Sequence, residues 1–145
     1  MKKNLEILYE DNHLIAVNKP SGVLVQGDKT GDQPLSEMLK EYIKVKYKKE
    51  GDVYLGVPHR IDRPTSGVVL FAKTSKALTR LNKMFQEKKI EKTYWAVVKN
   101  KPPKDQDVLV HYLSRNPQKN KSFASIKEVP NSKKSELAYE IIFEL

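Results

Sequence analysis

His59-Arg60-Ile61-Asp62-Arg63-Pro64-Thr65-Ser66-Gly67 sets one carboxylate between two guanidinium groups at the mouth of a Pro-Thr-Ser-Gly turn. In extended chain, alternate side chains share a face, so Arg60 and Asp62 can point into one pocket while Ile61 packs behind them. Pro64 fixes its own φ and biases Arg63 away from helix, and Gly67 can supply a backbone geometry that a residue with a Cβ resists. Positive charge nearby favours the ionised form of a carboxylate, which a nucleophile or general base requires. Asp62 is therefore the candidate catalytic residue. The competing reading of the spacing alone is a basic surface loop with an internal ion pair.

Outward from this stretch, Val53 to Val57 leads in as a strand, and Val68-Val69-Leu70-Phe71-Ala72 leads out as a short apolar run suited to a buried central strand. Ser75 can cap a helix that turns Leu78, Leu81, Met84 and Phe85 to the core and Lys76, Arg80 and Lys83 outward. Lys92 to Val98 then returns as a strand, with Tyr94, Ala96 and Val98 on one face. Upstream, Leu5 to Glu10 and His13 to Lys19 form an opening hairpin around Asp11-Asn12. Val23 to Gln26 is another short apolar piece. Pro34 suits a first helical residue, and Leu35, Met38, Leu39, Tyr42 and Ile43 repeat at helical spacing, predicting a helix to about Tyr47. Downstream, Val108 to Leu113, Phe123 to Val129 and Leu137 to Leu145 read as strands around a basic loop at Asn116 to Lys121, the last two as neighbours in an antiparallel sheet. The expected class is α+β, a mixed and largely antiparallel sheet with flanking helices.

Composition narrows the chemistry. A chain of 145 residues suits one domain, large enough to bury roughly 70% of its unfolded surface. Cysteine is absent, which excludes thiolate catalysis and thiolate metal sites and fits a reducing compartment. His13, His59 and His111 are widely spaced, so no structural zinc site is expected. Neither a signal peptide after Met1-Lys2-Lys3-Asn4 nor a membrane span is legible. Gly22 to Thr30 imitates a phosphate-binding loop, but Asp28 intrudes before Lys29 and would oppose a phosphate. The net charge is +9, and between Arg60 and Lys92 nine basic residues stand against Asp62, Glu87 and Glu91. Two-thirds of the excess thus lies beside the candidate site, as a polyanionic ligand requires, a lysine-rich solubility face being the alternative.

The central motif resembles the His-Arg-Leu-Asp-x-x-Thr-Ser-Gly signature of the RluA-type RNA pseudouridine synthases, with isoleucine for leucine. Lys19-Pro20-Ser21-Gly22-Val23 is similar to the Lys-Pro-x-Gly segment near the start of that catalytic domain. Leu70-Phe71-Ala72-Lys73-Thr74, and Phe85 followed by Lys89-Ile90-Glu91-Lys92-Thr93-Tyr94, resemble the strand, helix and Lys-x-Tyr strand that follow its aspartate. Order and spacing agree over essentially the whole chain. Two departures stand out: no S4-type RNA-binding domain comes first, and the family's later Thr-Gly-Arg-x-His-Gln-Ile-Arg segment, which supplies a basic partner to the aspartate, has no counterpart. The expectation is that residues 1–145 are a single domain, the N-terminal part of an incomplete catalytic domain, inactive by itself.

The resemblance implies isomerisation of uridine within rRNA or tRNA to pseudouridine, without metal or redox cofactor. The target base must be flipped out, with Arg60 filling the vacated space or holding the backbone. Asp62 either attacks the nucleoside or assists departure of the uracil. Tyr94 packs on the flipped base and helps remove the C5 proton. Arg63, Lys73, Lys92 and the outward face of the Ser75 helix meet phosphates. The implied setting is the cytoplasm, with RNA as partner, no membrane, and a monomer when complete. The alternative from another class is an RNA-binding module that performs no chemistry.

Overall fold

The computed structural model describes residues 5–119 and 121–143. Met1 to Asn4, where no signal peptide is expected, lie outside them, as do Asn120 and the last two residues of the expected terminal strand. The chain forms two compact units divided between Thr93 and Tyr94. Among the described residues no helix is long and apolar enough to cross a membrane.

The first unit is built on a three-stranded sheet of order β1-β2-β3, with β1 at Glu6–Glu10, β2 at Leu14–Lys19 and β3 at Gly67–Ala72. Asp11 makes the opening turn, its Oδ1 accepting from the amides of His13 at 2.7 Å and Leu14 at 2.6 Å. Both strand pairs are antiparallel. The central strand is β2, not the Val68 to Ala72 run expected there. Side chains alternate as the period-2 rule demands. On one face Ile15 pairs with Phe71 and Val17 with Val69, all four sealed from solvent. Helix α1, Leu35–Lys46, lays Leu35, Leu39 and Ile43 on that face. On the other face Leu14, Leu70 and Ala72 meet Ala77, Leu78 and Leu81 of helix α2, Ser75–Gln86.

The helix starts differ from expectation by one residue each. Pro34, with φ −79° and ψ 162°, stands outside α1 as its N-cap. The first amides of α1 are satisfied by the Val23 to Gln26 segment: Leu35 N donates to Leu24 O at 2.8 Å and Ser36 N to Val25 O at 3.1 Å. That segment is therefore no strand, although Val23 and Val25 are buried. Thr74, not Ser75, caps α2, because its extended backbone lets Oγ1 accept from Ala77 N at 3.1 Å. On α2, Met84 is exposed and Phe85 half-buried. The Val53 to Val57 strand contracts to one antiparallel bridge, Gly56 with Ala72. A Cβ on Gly56 would sit 2.9 Å from Leu78 Cδ2, so α2 presses directly on this backbone.

The second unit is an antiparallel sheet of order β5-β4-β6, with β4 at Gln106–Asn116, β5 at Lys121–Ser125 and β6 at Lys133–Glu140. The two late strands begin earlier than expected and both pair with β4, one on each side, rather than with each other. Ile141 to Phe143 carry no strand, and Glu144 and Leu145 lie outside the described residues. The expected strand from Lys92 to Val98 does not form. A strand needs a partner for its amides and carbonyls, and no described strand pairs with this segment; Trp95 is 83% and Val97 85% exposed.

Glu10, at the end of β1, fastens α1 to the sheet. Its side chain is 7% exposed. One carboxylate oxygen accepts from Lys73 Nζ at 2.8 Å and Tyr47 OH at 2.7 Å, the other from Lys46 Nζ at 2.7 Å and Tyr42 OH at 3.0 Å. Burial pushes this carboxyl up, but bonds from Lys46, Lys73, Tyr47 and Tyr42 outweigh it and bring it down to about 2. A depressed carboxyl stabilises the fold above its unfolded value, near 4.5, and loses that contribution as pH falls towards 2. Glu10→Gln should therefore cost about 3 kcal/mol near neutrality, since it strands Lys73. It should also flatten the acid limb of stability, as read by urea unfolding across that pH range.

Candidate active site

Lys19 ends β2 fully buried. Its ammonium has three donors, and it donates to Val23 O at 2.7 Å, Arg63 O at 3.0 Å and Pro20 O at 3.2 Å. The Pro20-Ser21-Gly22 turn and the Asp62 loop are thus gathered on one cation. Further bonds stitch the same two loops: Gly22 N to Arg63 O at 2.8 Å, Ser21 Oγ to Pro64 O at 2.7 Å and Arg63 Nε to Gly22 O at 3.1 Å. Thr65 N closes on Asp62 O at 3.0 Å, and Gly67 takes φ 136°, the departure from L-residue geometry that enters β3.

The approach to Asp62 is fixed along the outer edge of β3. Gly56 exchanges two backbone bonds with Ala72, at 2.8 and 2.9 Å. Three residues on, His59 Nε2 accepts from Leu70 N at 2.9 Å. The His59 ring is half-buried with its centroid 5.0 Å from that of Phe85. Burial first, and the charge of Lys92 second, hold this imidazole below its ordinary value. Only the neutral ring can accept here, so environment and hydrogen bond agree. Ile61 packs into the core as expected, and Arg60 and Asp62 emerge together on the exposed side.

Neither arginine pairs with Asp62. The Arg63 guanidinium turns the other way, Nη2 lying 2.6 Å from Asp32 Oδ2. Among the described residues the side chains of Asp62 and Arg60 have no hydrogen-bond or ion-pair partner. The internal ion pair considered for this loop is thus absent, and its carboxylate faces outward.

The remaining candidates separate by surroundings. Lys73, 10% exposed, gives its ammonium to Glu10, to Asp11 O at 2.7 Å and to the Tyr47 ring, 4.7 Å from the centroid. Lys92 is exposed, as are Lys76, Arg80 and Lys83 on the outer side of α2. Tyr94 opens the second unit and is 60% exposed. No group of His, Asp or Glu among the described residues could hold a metal ion. Two residues that organise the site, Lys19 and His59, have roles that the sequence alone does not assign. The available signal was a lysine ending an otherwise apolar strand just before a Pro-Ser-Gly turn.

A family model described as RNA pseudouridylate synthase matches residues 13–144. A ribosomal large subunit pseudouridine synthase C of Buchnera aphidicola subsp. Schizaphis graminum is 41% identical over 99 residues, 67% of this chain and 30% of that protein. A tRNA pseudouridine synthase C of Vibrio parahaemolyticus is 41% identical over 98 residues, 66% of this chain and 37% of that protein. The chain thus spans about a third of the length of these relatives. In fold it matches human RNA pseudouridylate synthase domain containing 4, with TM-score 0.73 at 22% identity, covering 93% of this chain and 52% of that one.

Lys19→Met keeps the bulk of the side chain but takes the ammonium from the carbonyls of Pro20 and Val23 and leaves that of Arg63 with the Gly22 amide. The expected loss is about 2–3 kcal/mol in chemical denaturation, with protease cleavage appearing first near Arg63. For His59, the folded value lies below the ordinary 6.5. Its contribution to stability is therefore complete above that pH and lost as pH falls through the folded value. NMR titration should show the imidazole and the Leu70 amide moving together, with a midpoint below 6.5; independent midpoints would break the link between them.

Proposed function

The chain belongs to the RNA pseudouridylate synthase family, and on that premise we propose that it isomerises uridine in structured RNA, with Asp62 as the reacting carboxylate. The observation that carries this reading is the outward-facing Asp62 carboxylate on a loop braced from both sides. A catalyst must be rigid in its backbone and unspent in its functional group, because correct positioning supplies much of the rate. Relatives named for rRNA and for tRNA support one or the other as the substrate class. Cytoplasmic action on such RNA, as a monomer with no membrane partner, belongs to the same proposal.

The reaction breaks the bond from ribose C1′ to uracil N1, turns the base and joins C1′ to C5. N1 gains a proton, C5 loses one, and nothing is oxidised or reduced. Ionised Asp62 serves either by adding to the nucleoside and leaving again, or by stabilising the sugar as uracil departs. The base reaches it only when unstacked; Arg60, exposed beside it, is assigned to the vacated stack or the flanking backbone. Tyr94 is assigned to the flipped uracil and to the C5 proton. Lys92 and the outer lysines of α2 take phosphates, giving affinity and little sequence reading. Lys73 leaves that set because its ammonium serves the Glu10 cluster, and Arg63 joins it only by releasing Asp32. The two units together are the N-terminal part of a catalytic domain.

A second reading, an RNA-binding module without chemistry, is favoured by the exposure of Tyr94, the side chain assigned to the flipped uracil, which is 60% open to solvent. Pseudouridine formed on RNA lacking the modification separates the two. In the active protein Asp62→Asn should lower the rate at least about a thousandfold, the scale on which removal of a covalent catalyst acts, while RNA affinity changes little. Near-normal turnover by the variant would remove Asp62 from the chemistry. Salt-dependent RNA binding with no pseudouridine, both from this chain and from one extended to the length of its relatives, would select the binding module.

A further inference from the structure

The β5-β4-β6 sheet is electrically polarised along its strands. From Arg115 to Lys134 the chain holds six basic residues, Arg115, Lys119, Lys121, Lys127, Lys133 and Lys134, against the single acid Glu128. The stretches Asp105 to Ser114 and Ser135 to Glu140 hold four acids, Asp105, Asp107, Glu136 and Glu140, and neither lysine nor arginine. Antiparallel register converts these sequence blocks into opposite ends. Asn116 with Lys121 and Leu113 with Lys133 lie towards one end, and Gln106 with Glu140 lies at the other. Among the described residues Lys119, Lys121, Lys133 and Lys134 make no ion pair.

The same register sorts residues by face. Ser114 and Asn116 of β4 lie opposite Phe123 and Lys121 of β5, while Tyr112 lies opposite Ser125 on one side and Lys134 of β6 on the other. Opposed residues share a face and neighbours along a strand alternate. Tyr112, Lys121, Phe123 and Lys134 therefore stand on one face, with Phe123 diagonal to Tyr112. Phe123 is 49% exposed. With Ser114, Arg115, Asn116, Pro117 and Gln118 it lines an open hollow of about 640 Å³.

An apolar ring left in water among unpaired lysines suits a ligand that alternates negative charge with flat aromatic surface. Lysines take phosphates with release of counterions, and an exposed ring stacks a base of any identity. A duplex keeps its bases stacked on each other, so the ring selects unpaired RNA. We propose that this face of the second unit binds a single-stranded stretch of RNA, one base stacking on Phe123 and phosphates lying at Lys121 and Lys134. The proposal rests on the RNA reading above and adds a second contact surface that uses none of the residues around Asp62.

The test uses the whole chain and oligouridylate as probe. Phe123→Leu, which keeps an apolar side chain but loses the ring, should weaken binding about fivefold, the low end for one stacked base; Phe123→Tyr should bind like wild type. Lys121→Gln with Lys134→Gln should reduce the slope of log affinity against log salt by about 1.4, two single-strand phosphate contacts. With Trp95→Phe removing the native indole, Phe123→Trp should be quenched by oligouridylate and not by polyglutamate. Equal affinity of the leucine variant, or equal quenching by polyglutamate, overturns the stacking face while leaving the isomerase reading intact. Absence of any RNA binding by the wild-type chain overturns both.

Discussion

One buried cation holds the candidate site together. An ammonium taken out of water is tolerated only where hydrogen-bond acceptors replace its hydration, and Lys19 gathers carbonyls from the turn that follows it and from the Asp62 loop. Carbonyl oxygens converging on a point repel one another unless a donor sits between them. The lysine therefore does more than link two loops: it stabilises the backbone arrangement in which those carbonyls meet. Residues 44 positions apart in sequence become one rigid piece, and the shape of the Asp62 turn is set by the end of β2.

The basic residues of the first unit divide by task. Lys19 and Lys73 work inside the fold, each largely out of water and saturated with oxygen acceptors or an aromatic face. Arg63 stands at the boundary, tied by a surface pair of modest worth that a competing anion can replace. Arg60, Lys92 and the outer residues of α2 face solvent. A count of charge along the chain treats these groups alike, yet only the last set contributes a field available to a ligand. The positive character near Asp62 is thus smaller than the sequence excess suggests, and better directed.

Much of the first unit was legible because its elements obey local periodicities. The opening hairpin, the apolar stripe of α1 and the run through β3 each bury one face in the way their spacing dictates, and the emergence of Arg60 and Asp62 with Ile61 behind them follows from strand alternation alone. What escaped was non-local. The partner of Arg63 lies 31 residues away at Asp32, and no pattern near the motif indicates that the guanidinium turns from Asp62 towards it. The helix caps moved by one residue because Thr74 and Ser75 are both competent caps and backbone geometry decides. Lys92 to Val98 has the alternation of a strand, but a ladder requires a partner, and periodicity reports only how a segment would sit if it had one.

The segment from Gly56 to His59 covers the outer edge of β3, one end by exchanged backbone bonds with Ala72 and the other by an imidazole on Leu70. The loop that presents Asp62 is therefore also the guard of an open sheet edge, and the two duties share one register. Lengthening or shortening the chain between Gly56 and Asp62 by a single residue would flip the faces of Arg60, Ile61 and Asp62, or uncover the Leu70 amide and invite pairing with another chain. Insertions here are penalised twice over, whereas the Gly27 to Gln33 stretch, tied to the loop by the surface pair of Asp32 with Arg63, guards no sheet edge. A change of chain length is therefore absorbed more easily in the connections around the aspartate loop than within it.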